Sequence, residues 1–156
     1  MLVDKRLEFA SNVTVAAAAG LALIGNQIPL TVAREIGGGD SGQLSLVITV
    51  TEAFAAASTD GTVTFILASD ATAAIAVDET ASVHVQSKAF TEAELSVVGT
   101  KIVLPVPVQQ DGPEPYEAFV GLLARTATQT FTTGKVNAFL SRDIGSSVHY
   151  PSPSQA

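Results

Sequence analysis

The sequence predicts an all-β protein, a jelly-roll or other Greek-key β-sandwich of about eight to ten strands with one short helical turn. Three observations predict it: apolar residues recur with a period of two rather than 3.6, valine, threonine and isoleucine are abundant, and turn residues separate the alternating runs. We therefore expect short pleated strands, each with one face in a core, arranged as two packed sheets.

The alternating runs mark the expected core face of each strand, because successive side chains of a strand point to opposite faces. Their apolar positions are Leu44, Leu46, Ile48 and Val50; Val63, Phe65 and Leu67; Val83 and Val85; Ile102, Leu104, Val106 and Val108; Tyr116, Ala118, Val120, Leu122 and Ala124; and Val136, Ala138 and Leu140. Pro105 and Pro107 cannot donate to a ladder, so the strand that holds them is predicted to be an edge strand.

The residues between the runs predict turns. Residues 58–61 end in Asp-Gly, which indicates a hairpin, residues 111–115 combine proline with Asp-Gly, and residues 132–134 are expected to separate the last two strands. Residues 70–77 are alanine-rich and begin with Asp70, a good N-cap residue. They predict one or two helical turns in a crossover between the sheets, packed by Ile75.

Length and hydropathy indicate a single soluble domain. The chain has 156 residues, and we assign residues 1–150, including an N-terminal segment, to one β-sandwich and residues 151–156 to an extended C-terminal arm. The apolar run at 13–24 is shorter than the roughly 20 residues of a membrane span. It follows acidic Asp4 and Glu8 and lacks a cleavage site, so we interpret it as buried structure rather than a targeting signal.

Composition excludes several classes of function. The chain has no cysteine, which removes disulfides and thiolate chemistry. Its net charge of −7, with scattered lysine and arginine, argues against binding nucleic acid. Charged residues make up only 15% of the chain. A chain with so little charge either buries part of its surface against other subunits or has a surface rich in alanine, threonine and serine. Composition alone leaves both interpretations open.

Residues 37–42 contain GDSG, the tetrapeptide around the nucleophilic serine of chymotrypsin-like proteases. Both histidines, His84 and His149, follow Ser41, and Gln43 replaces the glycine that normally comes next. A serine nucleophile needs a positioned base, so we interpret the segment as a glycine-rich entry loop and expect no catalytic residue. The acidic neighbours at 78–79 and at 92 and 94 are interpreted as solvated loop carboxylates, and we expect no metal and no cofactor.

Several strand motifs are similar to those of a known family. They are LEFA at 7–10, QIPL at 27–30, AREIG at 33–37, LSLVITV at 44–50, FILASDA at 65–71, SVHVQS at 82–87 and GKVNAFL at 134–140. The chain resembles the capsid cement (decoration) proteins of short-tailed bacteriophages. It departs from their pattern at Glu35, where an aspartate is expected, and at Pro29, where an acidic residue is expected.

The resemblance implies a jelly-roll virion protein without catalysis or cofactor. It implies a location on the outer surface of the phage head after synthesis in the bacterial cytoplasm. Its partners would be the major capsid protein and a second copy of itself, a homodimer rather than a trimer, with no nucleic acid and no membrane. Such a protein clamps neighbouring capsid subunits and stabilises the expanded shell.

The expected subunit and capsid contacts lie on segments with little charge. They are Gly38, Gly39, Asp40, Ser41, Pro105, Pro107, Tyr150, Pro151 and Pro153. The alternative is a ligand- or carbohydrate-binding β-sandwich module, although aromatic residues are only 6% of the chain and tryptophan is absent. An enzyme with Ser41 as nucleophile is the third hypothesis.

Overall fold

The computed structural model describes residues 5–15, 19–31, 36, 44–58, 60–107 and 116–142. These residues form nine β-strands in two antiparallel sheets, so the predicted all-β sandwich is confirmed. The strands are β1 (Glu8–Thr14), β2 (Gly20–Pro29), β3 (Ser45–Ala56), β4 (Thr62–Asp70), β5 (Ser82–Gln86), β6 (Phe90–Thr91), β7 (Lys101–Pro105), β8 (Phe119–Ala127) and β9 (Phe131–Ser141).

The strand order is that of a jelly roll. The first sheet has the order β1-β9-β3-β7, and the second has the order β2-β8-β4-β5, with the two-residue β6 also pairing with β4. The first four strands alternate between the sheets, with β1 and β3 in the first and β2 and β4 in the second. Near the end of the chain, β8 lies beside β2 and β9 lies beside β1. Two interleaved four-stranded Greek keys give this arrangement.

The core lies between the two sheets and uses the predicted face of most strands. Leu46, Ile48 and Val50 of β3 are buried in one cluster with Phe65 and Leu67 of β4, and β8 and β9 add their alternate apolar residues. A second, smaller cluster covers the outer face of the second sheet. Its buried members are Ile66, Ala68, Ile75, Ala81 and Leu123. The second sheet is therefore apolar on both faces.

The prediction for β5 is half correct. Val85 packs against the main core, but Val83 is 55% exposed. A register shift pairs Val85 with Leu67 and Val83 with Ala68, two adjacent residues of β4. Adjacent residues of a strand face opposite sides, so the shift turns Val83 to the outer face.

Two turn predictions are wrong. The Asp-Gly at 60–61 connects β3 to β4, which belong to different sheets, so it is not a hairpin turn. Thr132, Thr133 and Gly134 lie inside β9, and the preceding bend falls at 128–129, where Thr128 has a φ of 71°. The predicted turn at 111–115 lies outside the described residues.

The helical-turn prediction at 70–77 is also wrong, because residues 71–80 are irregular. The Asp70 carboxylate accepts the N–H groups of Thr72, at 3.1 Å, and of Ala76, at 3.0 Å. A carboxylate that bonds the N–H two residues on makes an Asx-turn, the local alternative to an N-cap. The segment joins β4 to β5 within one sheet, with Ile75 buried as predicted. The single 3-10 turns are elsewhere, at Lys5–Leu7 and Ala93–Leu95.

Candidate interaction surfaces

Pro105 and Pro107 are the only expected contacts within the described residues; Gly38, Gly39, Asp40, Ser41, Tyr150, Pro151 and Pro153 lie outside them. The prediction of an edge strand is confirmed, since β7 is the last strand of the first sheet. Pro105 ends β7 and is exposed, whereas Pro107 is half-buried. The hydroxyl of buried Tyr116 donates to the Pro107 carbonyl at 2.9 Å, which fixes the segment that leaves the edge.

An exposed apolar turn lies before β7 at Val97 and Val98, which are 64% and 55% exposed. Two hydrogen bonds hold the turn to β3. The Gly99 N–H donates to the Val50 carbonyl at 2.8 Å, and the Val50 N–H donates to the Thr100 carbonyl at 2.9 Å. Two large apolar side chains on a fixed turn are available for contact with a partner. Sequence reasoning missed them, although adjacent valines outside an alternating run cannot both face the core.

The acidic pairs of the sequence form separate local contacts. Glu94 bonds Lys88 and accepts the Thr91 N–H at 2.9 Å, and these contacts lower its pKa, Lys88 most strongly. The hydroxyl of Thr80 donates to Asp78 at 2.6 Å and lowers the pKa of that carboxyl. Glu79 instead pairs with Arg125 at 3.0 Å. In the part of the chain that the structure describes, no group of three or more acidic or histidine side chains is placed to hold a metal.

A serine–histidine contact forms at a place that the sequence did not indicate. Ser69 Oγ lies 2.6 Å from His84 Nε2, and it accepts the Glu117 N–H at 3.1 Å. The His84 ring stacks on Tyr116 with 3.9 Å between centroids. Ser69 is completely buried, so its hydroxyl is not accessible to a substrate in this arrangement. The contact joins β4, β5 and the entry to β8, and its geometry favours a structural role.

Two shallow grooves border β1. One, of about 280 Å³, lies between β1 and the second half of β2 and is lined by polar residues such as Lys5, Glu8 and Asn26. The other, of about 230 Å³, follows β1 and β9. Neither is lined by an exposed tryptophan or tyrosine platform, the feature expected of a sugar-binding site. Among the described residues the only helical elements are single turns, too short to cross a membrane.

Comparison with known proteins gives one family. The model of the Bbp16 family matches residues 8–140, which is most of the chain and extends from β1 into β9. No curated protein matches the chain.

Proposed function

We propose that this chain, which belongs to the Bbp16 family, is a capsid cement protein: a virion component on the outer surface of a tailed-phage head that clamps neighbouring major capsid protein subunits. In this role it has no catalytic activity and no cofactor. It is made in the bacterial cytoplasm and reaches the head after the shell has assembled.

The observation that carries the proposal is the position of the motifs that resemble cement proteins. LEFA at 7–10 enters β1, LSLVITV at 44–50 leads into β3, FILASDA at 65–71 lies along β4, and GKVNAFL at 134–140 lies in β9. β3, β4 and β9 are internal strands of the two sheets, and β1 pairs with β9. A resemblance that follows the framework of the fold is expected when the whole domain, rather than a local site, is shared.

The surface supports the same role. The described chain exposes large apolar side chains on the fixed turn at Val97 and Val98, and its acidic residues form separate local pairs rather than one charged pocket. We propose that the Val97–Val98 turn and the edge strand that follows it, β7, which ends at Pro105, contact the capsid. Interface cores are depleted in charge, and a modest contact repeated over a lattice gains strength by multivalency.

Co-sedimentation tests the proposal. Lysate from cells that produce the chain is separated on a density gradient, and we expect the chain with the head particles in near-stoichiometric ratio to the major capsid protein. Recovery only in the soluble fractions would rule the proposal out. Binding on a glycan array would instead favour the carbohydrate-binding alternative.

A further inference from the structure

The sheets of this sandwich end in four edge strands among the described residues: β1 and β7 in the first sheet, β2 and β5 in the second. An edge strand presents a row of N–H and C=O groups that can pair with another chain. Proteins that stay monomeric protect such edges with charge, proline, bulges or short length. The four edges differ in this protection.

Three of the edges are protected. β7 starts with Lys101 and ends with Pro105. β1 has two register shifts, and at one of them Asn12 has a φ of 54°. β5 has five residues and a shift of its own.

β2 is the edge without such protection over its first half. The strand has ten residues, GLALIGNQIP, and none of them is charged. From Gly20 to Ile24 it pairs with Thr126 to Leu122 of β8 in unbroken register. In such a ladder every second residue directs its N–H and C=O away from the neighbouring strand. We call residues 20–24 the β2 edge.

The pairing becomes irregular only beyond this edge. At Gly25 the strand turns onto β1: φ is +69°, and a Cβ at this position would lie 2.1 Å from the Phe9 carbonyl oxygen. The register with β8 shifts between Ile24 and Ile28. The second half of β2 is thus packed toward β1, while the β2 edge keeps an unbroken register with β8.

The side chains of the β2 edge add an apolar stripe. Leu21 and Leu23 are half-buried and pack against the outer-face cluster that contains Ile66, Ala68 and Leu123. The cluster therefore extends to the last strand of its sheet and stops there. A strand added beside β2 would continue it if that strand presented apolar side chains on the same face.

We propose that the β2 edge pairs in antiparallel fashion with the β2 edge of a second copy of this chain, about a two-fold axis. The pairing joins the two second sheets into one continuous sheet and places the Leu21 and Leu23 side chains of both copies side by side. A two-fold contact uses the same patch on both subunits, so the patch must be self-complementary. An uncharged apolar strand meets that condition.

Charge favours this edge for contact between identical copies. Each chain carries a net charge of −7, so two copies repel one another overall, and a neutral contact surface adds no like-charge pairs to that repulsion. The β2 edge is neutral, whereas β1 contains Glu8 and β7 contains Lys101. The inference deepens the proposed function, since it names the surface of self-association, and it is tested on the isolated protein.

Single cysteines test the register directly, because the native chain has none. Directly opposed residues of neighbouring strands face the same side, so one residue near the axis must lie opposite its own copy. Opposed Cα atoms are about 4.5–5.5 Å apart, within the range of a disulfide. Among Leu21→Cys, Ala22→Cys and Leu23→Cys, we expect at least one to form a disulfide dimer under mild oxidation, and the control Val83→Cys on the β5 edge to stay uncrosslinked.

Light scattering after gel filtration gives the second readout. We expect a dimer for the native chain, a monomer for Leu21→Lys with Leu23→Lys, and an unchanged dimer for Val83→Lys. A native monomer, or a dimer cross-linked only through Val83→Cys, would overturn the pairing. A monomer that still co-sediments with heads would overturn this inference alone, whereas a β2-linked dimer that never co-sediments would overturn the proposed function alone.

Discussion

Ser69 Oγ and His84 Nε2 are 2.6 Å apart, and this contact fastens the end of β4 to β5. Ser69 Oγ also accepts the Glu117 N–H at 3.1 Å, so one hydroxyl bonds residues from two other segments. The pair resembles a nucleophile and its base, but the serine is buried and the imidazole stacks on Tyr116. We interpret it as a structural contact that joins β4, β5 and the segment that enters β8.

Ser69→Ala should therefore destabilise the fold. The substitution removes both hydrogen bonds of a buried hydroxyl, which costs about 1–3 kcal/mol. Urea unfolding measures the loss. Ser96→Ala is the control, since the Ser96 hydroxyl donates to the Ala93 carbonyl at an exposed site and its removal should cost less. A Ser69→Ala protein as stable as the native chain would show that the contact contributes nothing.

A structural role for Ser69 also predicts that its hydroxyl is not reactive. A fluorophosphonate probe labels activated serines, and we expect no label on Ser69 or Ser41, because the fold proposed here uses neither as a nucleophile. Mass spectrometry of the treated protein locates any adduct. A labelled Ser41 would revive the enzyme hypothesis, and a labelled Ser69 would contradict its structural role.

Gly134→Ala should be more costly than an ordinary glycine substitution. Gly134 has a φ of +136°, and a Cβ there would come within 2.6 Å of the Phe54 ring. Strain and the clash together should lower the free energy of unfolding by about 2–4 kcal/mol. Gly99→Ala is the matched control, because Gly99 also has a positive φ, +92°, but nothing lies within 4 Å. Equal losses for the two variants would show that the Phe54 contact is not limiting.

Asp70→Asn should weaken the loop at 70–76 in a pH-dependent way. The N–H groups of Thr72 and Ala76 bond the carboxylate and lower its pKa. A lowered folded-state pKa contributes stability above the ordinary aspartate pKa of about 3.9, and that contribution is lost as pH falls through the folded-state pKa. We expect Tm to fall by about 2 °C at pH 7, and the difference to shrink progressively as pH falls below the ordinary aspartate pKa of about 3.9.

Thermal melts across that range, with Asp60→Asn as control, check this prediction. Asp60 is an exposed aspartate in the connection from β3 to β4. A difference for Asp70→Asn that stays constant down to the lowest pH would contradict a role for the charged carboxylate.

Val97→Ser with Val98→Ser should leave the fold intact and weaken binding to heads. Both side chains are largely exposed, so the change in stability should stay within about 0.5 kcal/mol. If the turn contacts the capsid, affinity should fall by roughly tenfold or more. Val77→Ser with Val83→Ser, two other exposed valines, is the matched control. Equal binding by the two double variants would remove the turn from the contact surface.

The period of two predicted β3, β4, β5, β7, β8 and β9, because each of these strands needs a buried face. It gave no run for β1, β2 or the two-residue β6. The sequence predicted the β7 edge because Pro105 lacks a donor. It did not predict how the strands divide between the sheets. The Asp-Gly at 60–61 has the same local chemistry whether the two strands it joins pair in one sheet or lie in different sheets. Local bonds were equally ambiguous at Asp70, where the carboxylate closes an Asx-turn instead of capping a helix.

The interaction surfaces were harder to predict for a related reason. Exposure of Val97 and Val98 depends on a turn fixed by distant Val50, and the outward face of Val83 depends on a register shift. Both are products of tertiary pairing, which composition and periodicity do not encode. The β2 edge became visible only when the strand order showed which strands end a sheet.

A density map of assembled heads from cells that produce this chain tests the central claim most directly. The account predicts nine-stranded jelly-roll densities on the outer surface of the shell, each bridging neighbouring major capsid protein subunits. Heads whose outer surface carries no such density, or particles in which the chain occupies the tail or interior instead, would contradict it.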